Sequence, residues 1–222
     1  MIGWRPARPR QINLLGDRDI EWSWVAARLP LGHGKALDFG NGGSALSLLA
    51  AQSGYQVTAI DLEAYQWPYE FPGLAFMQAD LMDADLEEGS FDLVINCSTV
   101  EHVGIVGRYS VSRPDPDGDL VAMRRLGDLM KPGATMLLTV PLGRDAIFPP
   151  MCRVYGAARL PKLLGDFAVE ADSYWSKNSA NRWVQVTREE GLNFEAHAGS
   201  PRAMENIYAI GCFVLRKRAD SA

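Results

Sequence analysis

Short apolar runs recur along the chain, each stopping at a glycine, asparagine or aspartate, and several are followed by a stretch with helical spacing. Residues 35–39 run into glycines and read as a buried strand. Residues 44–53 are rich in alanine and leucine and read as a helix closed by Gly54. Further strands are predicted at 55–60, ending at Asp61, at 74–78, ending at Asp80, and at 91–96. Residues 119–130 form an amphipathic helix with Leu120, Met123, Leu126 and Leu129 on its apolar side, terminated by Lys131-Pro132-Gly133. A fifth strand follows at 135–140 and is expected to stop at Pro141. Upstream, Asp17 or Asp19 can cap a helix reaching about Leu29, with Ile20, Trp24 and Ala27 on one face, before Pro30 and Gly32 end it.

Strands alternating with helices predict an α/β domain, a mostly parallel sheet with helices on both faces. The tail departs from this pattern. Residues 193–198 and 207–216 both read as strands around a turn at Pro201, an antiparallel hairpin closing the sheet. Residues 104–118 and 144–188 follow neither period and are assigned to the acceptor side, where lids and binding loops interrupt regular folds. The first ten residues, with Arg5, Arg8 and Arg10 between Pro6 and Pro9, read as an irregular arm, so that 1–30 is arm plus helix.

Composition narrows the classes. A chain of 222 residues that is 47% hydrophobic can bury one substantial core, so 1–222 is read as a single domain. A net charge of −5 argues against a nucleic-acid partner. Cys97, Cys152 and Cys212 lie far apart and form no C-x-x-C pair, which fits a reduced, cytoplasmic protein. No apolar run is long enough to span a bilayer, and the first residues lack a secretory signal's apolar stretch. A homodimer is compatible with all of this.

The candidate chemistry begins at Gly40-Asn41-Gly42-Gly43-Ser44-Ala45, between the first strand and the first following helix. Glycines there let the backbone approach a ligand, and the helix start offers free N–H groups. The same letters fit the G-x-G-x-x-A dinucleotide fingerprint. Three carboxylates sharpen the reading. Asp38 precedes the glycines, where it suits a ligand's ammonium group better than a pyrophosphate. Asp61 ends the second strand, where it can accept ribose hydroxyls, a feature common to nicotinamide and S-adenosylmethionine (SAM) sites. Asp80 ends the third, in reach of an adenine amino group. Glu21, on the tryptophan-containing first helix, can meet the same ammonium as Asp38.

With these residues in place the chain resembles the class I SAM-dependent methyltransferases across roughly 15–142. Asp38-Phe39-Gly40-Asn41-Gly42 resembles their D-x-G-x-G motif, with Ser44 where a third glycine is usual. Asp61 with Leu62, Asp80 with Leu81, the fourth strand ending at Asn96, and the Lys131-Pro132-Gly133 turn match their later motifs. The resemblance implies a Rossmann-like seven-stranded sheet with a terminal hairpin. It implies SAM as cofactor, with Asp38, Gly40, Asn41, Gly42, Ser44, Asp61, Leu62, Asp80, Leu81 and Asn96 around it.

After the fourth strand comes Cys97-Ser98-Thr99-Val100-Glu101-His102. His102 is the candidate general base for a hydroxyl acceptor, with Glu101 beside it; the alternative is a residue at a helix start bonded to Glu101 or backbone. His33 and His197 lie far from any motif. The longer block from Val100 through Gly107-Arg108-Tyr109 to Asp115-Pro116-Asp117-Gly118-Asp119, then Arg153-Val154-Tyr155 and Arg159-Leu160-Pro161, resembles a bacterial methyltransferase-like family of formerly unknown function associated with glycans. More narrowly it resembles the mycobacterial-type sugar O-methyltransferases of methylmannose polysaccharide assembly. The implied acceptor is a hydroxyl of a sugar or oligosaccharide. Trp67, Tyr69, Tyr109, Tyr155, Tyr174, Trp175 and Trp183 can stack on pyranose rings or simply fill the core. Asp117, Asp119 and Asp145, with Asp115, are candidate ligands for a divalent ion such as Mg2+, or belong to a turn and a helix cap at Asp119. The rivals are an N- or small-metabolite methyltransferase, a nicotinamide-dependent oxidoreductase, and a SAM-binding module without catalysis.

Overall fold

The computed structural model describes residues 16–111, 113–196 and 207–218. The alternating half of the chain forms β1 (Gly34–Phe39), α2 (Leu46–Gln52), β2 (Tyr55–Asp61), β3 (Leu74–Gln78), β4 (Phe91–Cys97), α3 (Gly118–Leu129) and β5 (Met130–Leu142), preceded by α1 (Asp17–Ala26). These strands lie parallel in the order β3-β2-β1-β4-β5. All five strand carboxyl ends therefore open on one edge, where α/β sheets place their ligands.

The second half is regular too. After β5 come a hairpin of β6 (Ala146–Phe148) and β7 (Cys152–Val154), α4 (Leu160–Leu163), β8 (Phe167–Lys177), β9 (Trp183–Val186), α5 (Arg188–Asn193) and β10 (Ala209–Lys217). β10 inserts antiparallel between β5 and β8, and β9 adds an edge strand, so the sheet has eight strands in the order β3-β2-β1-β4-β5-β10-β8-β9. A nicotinamide-binding sheet continues with a parallel sixth strand beside the fifth. The antiparallel β10 in that place removes the oxidoreductase reading.

Burial follows from strand alternation. Ala36, Leu93, Ile95 and Leu137 point to one face, where α1 and α2 cover them with Ile20, Trp24, Leu46 and Ala50. Leu37, Val94, Met136 and Leu138 point to the other, under Met123, Leu126 and Leu129 of α3 and Leu160 and Leu163 of α4.

Several expectations are corrected. The strand expected at 193–198 is not formed: α5 occupies 188–193, and its remaining residues up to 196 lie outside any strand. Thr187 caps α5, its hydroxyl accepting from Glu190 N–H at 3.2 Å while Glu190 bonds back to the Thr187 amide at 2.8 Å. On the edge away from β5, the antiparallel partner of β10 is β8, inside the stretch that shows no period in sequence. The turn at Pro201, His197 and the arginines of the first ten residues lie outside the described residues. Pro141 does not stop β5. Its carbonyl accepts from Tyr155 N–H at 3.0 Å, on the side where β4 has already ended, so its missing N–H breaks no ladder bond. Gly16, rather than either aspartate, is the N-cap of α1, which ends at Ala26.

Candidate functional site

The turn after β1 is forced by sterics. Gly40 has φ +66°, and a Cβ there would lie 2.1 Å from the Thr99 side chain. Thr99 Oγ1 donates to the Gly40 carbonyl at 3.1 Å, tying the glycine turn to the loop after β4. Gly42, at φ +50°, gives its N–H to Asp61 Oδ2 at 3.1 Å, while Asp61 Oδ1 takes Glu63 N–H at 3.0 Å. Asp80 Oδ1 accepts Met82 N–H at 2.9 Å. Asp38, Asp61 and Asp80 thus stand in a row at the ends of β1, β2 and β3.

They line a cavity of about 470 Å³, the site of the expected cofactor. Asp38, Gly40, Asn41, Gly42, Ser44, Asp61, Leu62, Asp80, Leu81 and His102 all face it. Asn41 is buried, and neither Oδ1 nor Nδ2 has a hydrogen-bond partner. An orphaned amide at a cavity wall, a carboxylate at each of three strand ends and a glycine turn that admits no side chain together fit SAM, whose ammonium, ribose and adenine each need a polar partner. Buried Asp38 has its carboxyl pushed up to about 7 by desolvation, opposed by the Ser47 hydroxyl that bonds it.

Three expected residues are elsewhere. Asn96 is fully buried and holds the loop after β4, its Oδ1 accepting Val100 N–H at 3.3 Å and its Nδ2 meeting Met123 Sδ at 3.5 Å. Glu21 turns inward, accepting from Arg18 at 3.0 Å and from Thr139 Oγ1 at 3.0 Å. The cavity is bordered instead by Arg18 and Trp22 of the same helix. The sequence predicts the tryptophan-containing segment over the cofactor, whereas nothing in it singles out Arg18, whose only signal is position, three residues before Glu21. Glu101 does not line the cavity either. It is buried behind His102, with Oε1 2.6 Å from Ser98 Oγ and Oε2 unpartnered.

His102 sits in a single 3-10 turn, Val100–His102, that follows β4. Its Nδ1 is 2.7 Å from the Met151 carbonyl oxygen. A carbonyl only accepts, so Nδ1 carries the hydrogen and Nε2 keeps its lone pair. Nε2 is 3.6 Å from Glu101 Oε1. Desolvation lowers His102 to about 4, the Met151 carbonyl resists this, and Arg108, Arg18 and Arg153 lower it further. Tyr109 packs edge-on against the ring at 4.8 Å. Tyr109 and Ser110 both have left-handed backbone, φ +55° and +53°, a conformation that costs a non-glycine residue about 1 kcal/mol or more. Ser110 Oγ anchors the segment by bonding Glu63 at 2.5 Å.

The acceptor-side assignment divides. Within 104–118, Gly104, Tyr109, Ser110, Val111, Arg113, Asp115 and Gly118 line the cavity. No residue of 144–188 does, although Met151 reaches His102. Of the seven aromatic residues considered for stacking, only Tyr109 faces the cavity. Trp67 and Tyr69 stack on each other at 5.9 Å, and Tyr155 and Tyr174 are core.

The metal expectation is also corrected. Among the described residues no group of three or more His, Cys, Asp or Glu can hold an ion. Asp145 accepts the amides of Gly156, Ala158 and Arg159 at 2.7, 2.9 and 3.1 Å. Asp119 is not the cap of α3, which is Asp117, but is fully buried against Arg159. Asp117 meets the same guanidinium at 3.2 Å.

Burial also raises Glu21 and Glu101 to about 7, each from 4.5, as it raises Asp38 from 3.8. Between about pH 4.5 and 7 the folded chain keeps protons that the unfolded chain has lost, so these groups lose stability as pH rises. His102, lowered from 6.5 to about 4, acts oppositely in that window, but three carboxyls outweigh one imidazole. The ligand-free protein is therefore expected to melt at a lower temperature at pH 8 than at pH 5. Calorimetric melts across that range check this, and a higher melting temperature at pH 8 would refute it.

Comparison with known proteins adds identity to this geometry. Residues 76–197 match the family model described as Caenorhabditis protein of unknown function, DUF268. A ubiquinone biosynthesis O-methyltransferase of Xanthomonas oryzae pv. oryzae (strain PXO99A) is 32% identical over 208 residues, covering 86% of this chain and 80% of that protein. The one from Xanthomonas campestris pv. campestris (strain B100) is 32% identical over 169 residues, and the chain spans 64% of its length. Among solved structures, Burkholderia thailandensis 1,6-didemethyltoxoflavin-N1-methyltransferase, with 1,6-didemethyltoxoflavin and S-adenosylhomocysteine bound, superposes with a TM-score of 0.59 at 17% identity, covering 91% of this chain and 82% of that one. The N-methyltransferase NodS from Bradyrhizobium japonicum WM9 with S-adenosylhomocysteine gives 0.56 at 14% identity, covering 94% and 90%. No helix among the described residues is long and apolar enough to cross a membrane. The chain belongs to the DUF268 family and, through its Xanthomonas relatives and its sheet, to the class I SAM-dependent methyltransferases.

Proposed function

We propose that this protein is an O-methyltransferase acting on an acidic hydroxyl, phenolic in class, with His102 Nε2 taking the hydroxyl proton. The observation that carries the proposal is the bond from His102 Nδ1–H to the Met151 carbonyl, which leaves Nε2 as the one lone pair the ring can offer. Gly40, Asp38, Asp61 and Asp80 would hold SAM, which would supply an electrophilic methyl group on its sulfonium sulphur. His102 Nε2 would take the hydroxyl proton that the acceptor oxygen gives up on accepting the methyl. Glu101, buried 3.6 Å away, favours the imidazolium once it is ionised.

The acceptor class is supported by relative acidity. An imidazole lowered by burial is asked for less by a phenol, which loses its proton near pH 10, than by an aliphatic alcohol, and the arginines around it favour the phenolate. A nitrogen acceptor needs no such base. The names of the Xanthomonas relatives, which place O-methylation in ubiquinone biosynthesis, support an oxygen acceptor. A sugar or mannoside acceptor fits less well, because the aromatic residues that would stack on a pyranose are mostly in the core or on each other.

Incubation with methyl-labelled SAM tests this against two panels, catechols and simple phenols in one, methyl mannoside and mannose oligosaccharides in the other. Label is expected in a phenyl methyl ether. Label confined to a sugar would overturn the acceptor class, and S-adenosylhomocysteine binding with no transfer to any acceptor would reduce the protein to a binding module.

A further inference from the structure

We infer that the acceptor carries an anionic group, a carboxylate or phosphate-like substituent, held by Arg113 of the cavity wall and by Arg108, which stacks on the cavity-lining Tyr109. The inference rests on the O-methylation reading for the role of the hydroxyl but not for the binding itself.

The cavity is electrically divided. The strand-end carboxylates Asp38, Asp61 and Asp80 occupy the cofactor half, and Arg18 and Arg113 border it elsewhere. This is unexpected in a chain of net charge −5. The arginines behind the same loop are already answered. Arg159 holds Asp119 at 2.8 Å, and Arg153 donates to the carbonyls of Asp115 and Pro116 at 2.6 and 3.3 Å. Arg18 is paired with Glu21 at 3.0 Å. Arg108 and Arg113 differ. Arg108 is exposed, and among the described residues its guanidinium meets only the Met151 thioether, at 3.8 Å, and the face of Tyr109, at 4.5 Å. Arg113 lines the cavity with no hydrogen bond or ion pair to any described residue. Two acids of the same region are turned to local donors: Asp115 Oδ1 accepts the Asp117 amide at 2.9 Å, and Glu63 accepts from Ser110.

The backbone fixes this arrangement. The left-handed pair Tyr109–Ser110 sets the Tyr109 ring between His102 and the Arg108 guanidinium. An acceptor ring placed for its hydroxyl to reach His102 would have its far substituent at the cationic rim. Guanidinium groups with no anionic partner among the described residues suit a planar or tetrahedral oxyanion.

The test is calorimetric titration of the S-adenosylhomocysteine complex at low salt with 3,4-dihydroxybenzoate, its neutral isostere 3,4-dihydroxybenzamide, and 3,4-dihydroxyphenylphosphonate. The benzoate or the phosphonate is expected to bind roughly tenfold or more tighter than the benzamide, the tighter of the two assigning the anion. Arg108→Ala and Arg113→Ala should each remove most of that advantage and leave benzamide affinity unchanged, with Arg113→Lys keeping part of it. Equal binding of charged and neutral ligands, an advantage that survives both alanine variants, or binding of none of the three would overturn the inference. A charge preference without methyl transfer would instead sink the O-methylation reading alone.

Discussion

Replacing Asp119 by alanine is expected to destabilise the fold by about 3–5 kcal/mol, because it leaves buried guanidinium charge without its counter-ion. Asp119 is fully buried in the first turn of α3. Its two oxygens take Arg159 Nε at 2.8 Å and Nη2 at 2.5 Å, and Arg153 Nε stands 3.5 Å away. Arg153 is buried as well, and its remaining donors go to the carbonyls of Val103, Asp115 and Pro116. One carboxylate therefore ties α3, β7 and the start of α4 to both ends of the 104–118 loop. Urea titration should show the loss as a lower midpoint with little change in slope. The double variant Asp119→Leu with Arg159→Met should lose less than the sum of the two singles, since Arg159 no longer faces a missing partner, while buried Arg153 still lacks its counter-ion. A single-variant loss below about 1 kcal/mol, or a double variant as unstable as the sum of the singles, would contradict this account.

That cluster also shows where sequence stops being readable. Among the first five strands, β1, β4 and the end of β5 announce themselves because they are buried on both faces, so each run is nearly continuously apolar and stops at a turn residue. The cofactor carboxylates are legible for a related reason: strand ends are visible in sequence, and parallel strands put all their ends on one edge. β8 hides because its middle, Ala168–Asp172, is exposed and polar-interrupted, with burial resuming only at Ser173 and Tyr174. The α5 helix left a signal that was missed, since Thr187 with Glu190 three residues later is a capping box before a short helix. Asp117, Asp119 and Asp145 look like metal ligands because aspartates cluster in sequence. Their true partners, Arg153, Arg159 and the amides around Gly156, lie eleven to forty-two residues away and become neighbours only after folding. Arg18 was unreadable in the same way, because which side of α1 borders the cavity depends on how the helix packs against α2 and β10.

Replacing His102 by alanine is expected to lower kcat about 10²- to 10⁴-fold while S-adenosylhomocysteine affinity stays within about twofold. The proton-accepting Nε2 would be lost, whereas Asp38, Asp61, Asp80 and the glycine turn would be untouched. The pH profile makes the assignment specific. His102, near 4, is neutral throughout the working range and contributes no limb there. Glu101, pushed up to about 7 by burial with its Ser98 bond opposing, is 3.6 Å from Nε2. Its ionised carboxylate stabilises the imidazolium that forms as the proton arrives, so kcat at saturating SAM should rise through about pH 7 and then level. Glu101→Gln should remove that limb and hold the rate near its low-pH level at every pH, a readout that mere loosening of the 3-10 turn would not produce. Asp38 shares the same range, but its ionisation acts on cofactor binding and would appear in KM for SAM rather than in kcat. A wild-type kcat in His102→Ala would end the assignment of the base, and an unshifted limb in Glu101→Gln would end the part given to the carboxylate.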